Sequence, residues 1–202
     1  MTTSKNGMMN KKSITLVRSD LFTNNIGTIE QRKHLIDEIR SIKKQNPEGV
    51  DKSNQGCWRL NNPCRDIDWL ITEIVALLDF SLELYSQEDK TFGHRQKLKL
   101  INIDYWANIN QPRSRNAMHS HKPAQFSACY YLQAEGTGAI VFTNPANIMA
   151  ECNPGSPFTR DYRIEPKDGD LLLWPSWMPH EVETNFSDRE RINLAFDFKV
   201  VE

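Results

Sequence analysis

After residue 95, short β-type runs alternate with turn residues, and this pattern constrains the fold more than any other feature of the chain. The runs are rich in β-branched, aromatic and leucine residues, and glycines, prolines and an Asp-Gly pair separate them. They span 98–107, 126–132, 139–142, 162–164, 171–174, 180–182 and 192–200. Many short strands at such spacing are typical of a β-sandwich or a β-barrel.

Two helices are predicted upstream of these strands. Thr28 and Gln31 form the sequence pattern of a capping box, and apolar residues at helical spacing follow as far as Asn46-Pro47. A second helix is predicted at about 66–86, with a broad apolar stripe suited to packing on a sheet. A short strand is also predicted at Ser13–Val17. The fold class is therefore α+β, mainly β, with the helices packed on one sheet.

Length and charge limit the domain count and the partners. With 202 residues, 39% of them hydrophobic, the chain fits one domain with its own core. We expect a flexible tail over 1–12 and one domain over 13–202, with helical support at about 28–86 and a core barrel at about 95–200. The net charge of -1 argues against nucleic acid as a partner.

No apolar run is long enough for a transmembrane span, and Met1 to Lys12 lack the apolar segment of a secretory signal. We therefore predict a cytoplasmic protein without a membrane partner. The four cysteines, Cys57, Cys64, Cys129 and Cys152, form no CxxC pair, so we expect reduced and mostly buried thiols.

The histidines carry the first indication of chemistry. His119 and His121 are two residues apart, so on an extended strand both imidazoles point to the same face. His180 follows a buried strand and a Pro/Trp turn, and it could deliver a third imidazole from a neighbouring strand. Imidazole suits iron, zinc, copper or nickel, although three histidines alone are compatible with an ordinary structural role. His34 and His94 are expected at the surface.

The order of the motifs resembles the iron(II)/2-oxoglutarate-dependent oxygenases. The segments Gly169-Asp170-Leu171-Leu172-Leu173-Trp174-Pro175, Pro179-His180-Glu181-Val182 and Arg191-Ile192-Asn193-Leu194-Ala195-Phe196 resemble the distal half of the catalytic core of these enzymes. Upstream, Trp106-Ala107-Asn108, His119-Ser120-His121, Ser127–Leu132 and Gly138–Phe142 resemble the proximal metal strand and its two successors. The chain is similar in particular to a subfamily with an HxH proximal motif. The resemblance covers about residues 100–200.

This resemblance implies a double-stranded β-helix, or jelly roll, that uses Fe(II), 2-oxoglutarate and O₂. It implies that His119 is the proximal and His180 the distal metal ligand. The family normally has a carboxylate where this chain has His121, and no Asp or Glu lies between Asp104 and Glu135. His121 could ligate the metal, which we favour. It could instead lie behind the ligands while a distant carboxylate or water completes the set, or the site could be inactive. With imidazole in place of carboxylate, we expect a site one charge unit more positive.

The resemblance also assigns the cosubstrate residues. Arg191 would bind the C5 carboxylate of 2-oxoglutarate through its planar guanidinium. The alternatives are a solvated Arg191 paired with Asp188 or Glu190, or Arg189 as the anchor. Tyr131 could donate its hydroxyl to the same carboxylate or simply pack in the core. Asn108 and Ser127 are weaker candidates around the site.

Together these features predict a 2-oxoglutarate- and Fe(II)-dependent dioxygenase, a hydroxylase acting on a small molecule or a protein side chain. Two alternatives stay open: a three-histidine metal dioxygenase without 2-oxoglutarate, and a non-catalytic jelly-roll binding module. The segment Pro145 to Asp161 is predicted to be a lid over the metal.

Overall fold

The computed structural model describes residues 20–50, 54–88, 99–144 and 161–201. Within them the elements are β1 (Phe22–Asn25), α1 (Ile29–Gln45), β2 (Asn54–Asn61), α2 (Asp68–Glu88), β3 (Lys99–His119), β4 (Phe126–Gln133), β5 (Ile140–Phe142), β6 (Tyr162–Ile164), β7 (Asp170–Pro175), β8 (His180–Val182) and β9 (Arg191–Val201). Within this part of the chain, neither helix combines the length and the apolar character that a membrane-spanning helix needs.

The long strand β3 joins two halves of one curled sheet. The strands follow the order β1-β7-β4-β9-β3-β8-β5-β6, and β2 pairs with β3 beside this path. Residues 99–110 of β3 pair with β9, whereas Asn116 and His119 pair with β8. Between these two stretches the backbone of Arg113 has a φ of 72°. One strand therefore belongs to both halves of the sheet, and the result is the predicted double-stranded β-helix.

Both helices pack on one face of the half of the sheet that contains β7, β4 and β9, as the sequence predicts. The capping box of α1 forms: the Gln31 amide donates to the Thr28 hydroxyl, and the Thr28 amide donates to the Gln31 side chain. Leu35 and Ile39 on α1 are fully buried in the main core. The other members include Leu70, Ile74 and Leu78 of α2, and Tyr130, Leu171, Leu173, Leu194 and Phe196 of the sheet. This layer fixes the sheet from behind.

Strand pleating sends the alternate residues of the same strands to the opposite face. The Tyr130 side chain lies in the main core, where its hydroxyl donates to the carbonyl of Ile26 at 3.0 Å. Tyr131 faces the other way, into a second buried cluster that includes Leu172 and Trp174. A pocket opens on this second face, and the functional side chains line it.

The sequence prediction missed two strands and the length of a third. β1 and β2 were not expected, and β3 reaches His119 instead of ending near Ala107. Asn54–Asn61 has only Trp58 and Leu60 as alternating core residues, which is too short a pattern to indicate a strand, so its strand conformation depends on pairing with β3. The predicted tail 1–12, the strand Ser13–Val17, His94, Cys152 and nearly all of the proposed lid lie outside the described residues. The domain bounds stay a prediction.

Candidate metal centre

Three histidines converge at the mouth of the curled sheet. One ring nitrogen each from His119, His121 and His180 lies within 4.8 Å of the others. His119 and His180 are direct cross-strand partners on β3 and β8, and His121 follows two residues after His119. The structure thus brings together the three histidines singled out in the sequence. The other described histidine, His34, is exposed near Asp66, as expected.

Each of the three imidazoles has its Nδ1 occupied by an oxygen acceptor. His119 Nδ1 lies 2.7 Å from the carbonyl of Ala117, and His180 Nδ1 lies 3.1 Å from that of Met178. His121 Nδ1 lies 2.9 Å from a carboxylate oxygen of Asp197. These oxygens can only accept, so each Nδ1 carries the proton and each Nε2 keeps its lone pair free. Three Nε2 lone pairs in one place form a metal-binding donor set.

Burial keeps two of these imidazoles neutral. Removal from water, with smaller contributions from His119 and His121, lowers the pKa of His180 to about 3. Burial also lowers the pKa of His119, with smaller contributions from His121 and Arg59. Neutral imidazole is the form that binds a metal, so the site needs no deprotonation of these two groups at neutral pH.

A carboxylate lies directly behind His121. Asp197 accepts from His121 Nδ1, and the Ser127 hydroxyl donates to the same carboxylate at 2.7 Å. The expectation of a site one unit more positive is therefore wrong for the site as a whole. The family normally has a negative charge at the position of His121, and here that charge lies on Asp197, the hydrogen-bond partner of the imidazole.

Flat side chains hold the imidazoles in position. The ring of His121 stacks between Trp106 and His180, with interplanar angles of 14° and 9°. Trp174 meets the ring of His180 edge-on at a centroid distance of 5.1 Å. Rings clamped in this way keep the direction of their Nε2 atoms.

Arg191 is a buried guanidinium without an anionic partner among the described residues. The side chain is 1% exposed, and its Nη1 donates to the carbonyls of Thr137 at 3.2 Å and Gly138 at 3.4 Å. Its Nε and Nη2 are buried and make no hydrogen bond. The alternative of a solvated Arg191 paired with Asp188 or Glu190 is wrong, because Arg191 is buried, no ion pair joins it to a described carboxylate, and Glu190 pairs with Arg40 instead. A buried cation with two free donors on one edge fits a carboxylate.

Of the other predicted cosubstrate residues, Tyr131 and Asn108 line the pocket and Arg189 does not. Tyr131 is buried beside Arg191 and lines the pocket, and burial raises its pKa well above the ordinary value, so its hydroxyl stays a donor. Asn108 also lines the pocket, where its amide donates to Asn193 at 2.8 Å. Arg189 is exposed and is not among the lining residues, so the structure favours Arg191 over it.

Two lining or supporting residues were missed in the sequence. Asp197 lies six residues after Arg191 on the same strand, so the period-two alternation places both on one face. This alternation is visible in the sequence and could have identified Asp197 as a residue of the site. Arg59 lies on β2, a strand with no recognisable pattern, and nothing in the sequence indicates its place in the pocket.

The fold is that of oxygenases of known structure. A prolyl-4-hydroxylase from Pseudomonas putida superposes with a TM-score of 0.61 at 16% identity, over 89% of this chain and 91% of that one. An α-ketoglutarate-dependent carbocyclase, SnoK from nogalamycin biosynthesis, gives 0.65 at 9% identity, over 89% and 79%. A prolyl hydroxylase from Trichoplax adhaerens, solved with a peptide of hypoxia inducible factor, gives 0.57 at 13%, over 89% and 83%.

The sequence agrees with the fold. Residues 104–197 match the family described as "Putative 2OG-Fe(II) oxygenase", and this match contains all three histidines, Arg191 and Asp197. The barrel part of the chain is therefore similar to the iron(II)- and 2-oxoglutarate-dependent oxygenases in both sequence and fold. Iron(II) is the cofactor and 2-oxoglutarate the cosubstrate of the class. No curated protein matches the chain.

Proposed function

We propose that the protein is a hydroxylase in which His119, His121 and His180 bind iron(II) and Arg191 binds the C5 carboxylate of 2-oxoglutarate. The observation that carries the proposal is the buried Arg191, whose Nε and Nη2 have no partner among the described residues. An unpaired buried cation destabilises a protein unless a ligand supplies the counter-charge.

The residues fit both groups. The three Nε2 atoms belong to neutral or carboxylate-backed imidazoles, a donor set suited to a divalent first-row metal. Three protein ligands leave coordination positions for a chelating cosubstrate. When bound, iron(II) and 2-oxoglutarate supply O₂-dependent oxidation, in which 2-oxoglutarate loses CO₂ to become succinate and the substrate gains a hydroxyl.

The protein side chains supply position and a dry environment. Arg191 and the neighbouring Tyr131 hydroxyl would hold the C5 carboxylate by charge-assisted hydrogen bonds. Burial lowers the pKa of the Arg191 guanidinium, but guanidinium stays protonated in the physiological range. Phe142, Trp174 and Met178 form an apolar wall around His180 that keeps water away from the reacting centre.

The two prolyl hydroxylases of similar fold support hydroxylation as the reaction, and they leave both a peptide side chain and a small molecule possible as the substrate. The two alternatives predict different behaviour. A three-histidine dioxygenase without 2-oxoglutarate would need iron but would not need Arg191. A binding module would not need the histidines.

Iron binding by histidine variants tests the ligand set. In His119→Ala and His180→Ala we expect iron(II) affinity to fall by about two orders of magnitude or more, because each variant removes one donor of a three-donor set. The exposed His34→Ala serves as the matched control and keeps the wild-type affinity. Equal iron affinity in all four proteins would contradict the proposal and favour a binding module.

Succinate formation tests the cosubstrate. The iron-loaded enzyme should convert 2-oxoglutarate slowly to succinate even without substrate, and Arg191→Gln should abolish this at low 2-oxoglutarate concentration. Iron binding without any succinate, at any 2-oxoglutarate concentration, would favour a three-histidine dioxygenase.

A further inference from the structure

The pocket contains a second arginine that the proposed reaction does not use. Arg59 on β2 lines the pocket together with the three histidines and Arg191. Its guanidinium carbon lies 4.2 Å from the centroid of the Trp106 ring, and Trp106 in turn stacks on His121. Arg59 is therefore held flat against the aromatic side of the metal centre, facing the pocket.

Among the residues that the structure describes, Arg59 has no anionic partner of its own. Its Nε is buried without a hydrogen bond, and no described carboxylate lies within 4.0 Å of the guanidinium. Asp197 acts on Arg59 electrostatically, but its carboxylate already accepts from His121 and Ser127. Burial lowers the pKa of the guanidinium, so holding the charge here has a cost that a ligand anion would offset.

The sheet register separates Arg59 from the 2-oxoglutarate end of the pocket. Arg59 pairs with Asn108, Asn108 pairs with Asn193, and Asn193 pairs with Tyr131, so these four residues form one row across β2, β3, β9 and β4. Arg191 lies on β9 beside the Tyr131 end of the row. β3 stands between β2 and β9, so their backbones are about 10 Å apart. The two arginines therefore approach the pocket from opposite sides.

The charges lining the pocket also favour an anion. When iron(II) and the 2-oxoglutarate dianion are bound, the positive charge of the metal and the negative charge of the cosubstrate sum to zero. The charges of Arg191 and of the Asp197 carboxylate sum to zero as well. Among the described residues that line or directly support the pocket, the charge of Arg59 is left over. A substrate with one negative group would complete the balance.

From this geometry we infer that Arg59 is a specificity-determining residue that binds an oxyanion of the substrate. This inference rests on the proposed function and names its substrate class: a small molecule that carries a carboxylate or a phosphate, bound on the β2 side of the iron. The guanidinium edge forms parallel hydrogen bonds to either group, whereas an amide or an ester offers no such charge.

A simple fluorinated anion tests this site without knowledge of the substrate. The probe is trifluoroacetate, observed by ¹⁹F relaxation with the anaerobic protein that carries iron(II) and saturating 2-oxoglutarate. The paramagnetic iron accelerates relaxation of a probe bound nearby, and the zinc-loaded protein gives the diamagnetic reference. The neutral trifluoroacetamide is the matched control ligand. Phosphate, added as a competitor, distinguishes a site for either oxyanion from a site for carboxylates alone.

We expect relaxation of trifluoroacetate, but not of trifluoroacetamide, to be enhanced by the iron-loaded wild type. Arg59→Gln should weaken binding of the anion by about tenfold or more, the usual effect of losing one charge-assisted contact. Arg59→Lys should retain part of the affinity for trifluoroacetate, and the exposed Arg65→Gln should leave this affinity unchanged. The affinity for 2-oxoglutarate should change less than about threefold in Arg59→Gln, because that anchor is Arg191.

Three results would overturn the inference. Trifluoroacetate could fail to bind although the 2-oxoglutarate complex forms, or it could bind equally well to Arg59→Gln. Alternatively, Arg59→Gln could lose 2-oxoglutarate as strongly as Arg191→Gln does, which would make Arg59 part of the cosubstrate site. If the wild type forms no complex with iron(II) and 2-oxoglutarate, the proposed function fails first and the inference with it.

Discussion

The three imidazoles of the site differ in what holds their Nδ1 atoms. Backbone carbonyls hold His119 and His180, but a carboxylate holds His121. A carboxylate partner makes an imidazole a stronger donor and fixes its orientation. The pair of His121 and Asp197 therefore carries the same net charge as the carboxylate that the family normally has at this position.

This pairing predicts the effect of Asp197→Asn. The amide is nearly isosteric and can still accept from His121 Nδ1, so the change removes charge with little change of shape. We expect iron(II) affinity to fall about 10- to 100-fold, the range observed for partners of metal-ligating histidines. Competition with a chromophoric chelator measures it.

The control for this prediction is Asp37→Asn, an exposed carboxylate on α1. It should bind iron as the wild type does. Unchanged iron affinity in Asp197→Asn would mean that His121 does not ligate the metal, and would favour the interpretation in which His121 lies behind the ligands.

At the level of elements, the sequence predicted what local patterns and short-range chemistry determine. The capping box of α1, the apolar stripe of α2 and seven strands after residue 95 all have recognisable patterns, and all form, although β3 continues to His119, well past its predicted end. The pattern in β2 is too short to recognise, since only Trp58 and Leu60 alternate as core residues in Asn54–Asn61, and this strand pairs with β3. Arg59 was missed for that reason. When long-range pairing determines a strand, the local sequence does not indicate where each of its residues lies in the fold.

The capping box gives a prediction at this scale. Thr28→Ala removes the hydroxyl that accepts from the Gln31 amide, so it should lower the free energy of unfolding by about 1 kcal/mol. Urea denaturation followed by circular dichroism measures this. Thr72→Ala is the control: Thr72 is exposed inside α2, where alanine has the higher helix propensity, so stability should not decrease. Equal effects would mean that the cap does not stabilise α1.

At the level of the whole molecule, buried thiols link stability to alkaline pH. The described cysteines are thiols without a disulfide bond, as predicted, and burial raises the pKa of Cys64 to about 12, with a further contribution from the nearby Glu38. The folded state thus holds this proton more tightly than the unfolded state, whose thiol has the ordinary pKa of 9.0. The stabilisation is complete below pH 9 and is lost as the pH rises from 9 towards 12.

We therefore expect the free energy of unfolding to fall between pH 9 and pH 10.5, and to fall less steeply in Cys64→Ala. Each such group contributes a slope of up to about 1.4 kcal/mol per pH unit. Urea denaturation at pH 7.5, 9 and 10.5 measures the slope. The decrease in the free energy of unfolding that Cys64→Ala causes at pH 7.5 reports the lost packing alone, so it serves as the internal reference. An identical slope in both proteins would show that Cys64 does not titrate in this range.

The whole site, three imidazoles on one side and the unpaired Arg191 on the other, is best tested by one titration. Iron(II)-loaded protein is titrated anaerobically with 2-oxoglutarate while the weak visible charge-transfer absorption of the chelate is followed. We predict saturable absorption in the wild type, and in Arg191→Ala a requirement for at least about 100-fold more 2-oxoglutarate, because the variant loses a buried bidentate contact. Stoichiometric iron without this absorption, or equal affinity in the two proteins, would contradict the assignment of Arg191 as the cosubstrate anchor.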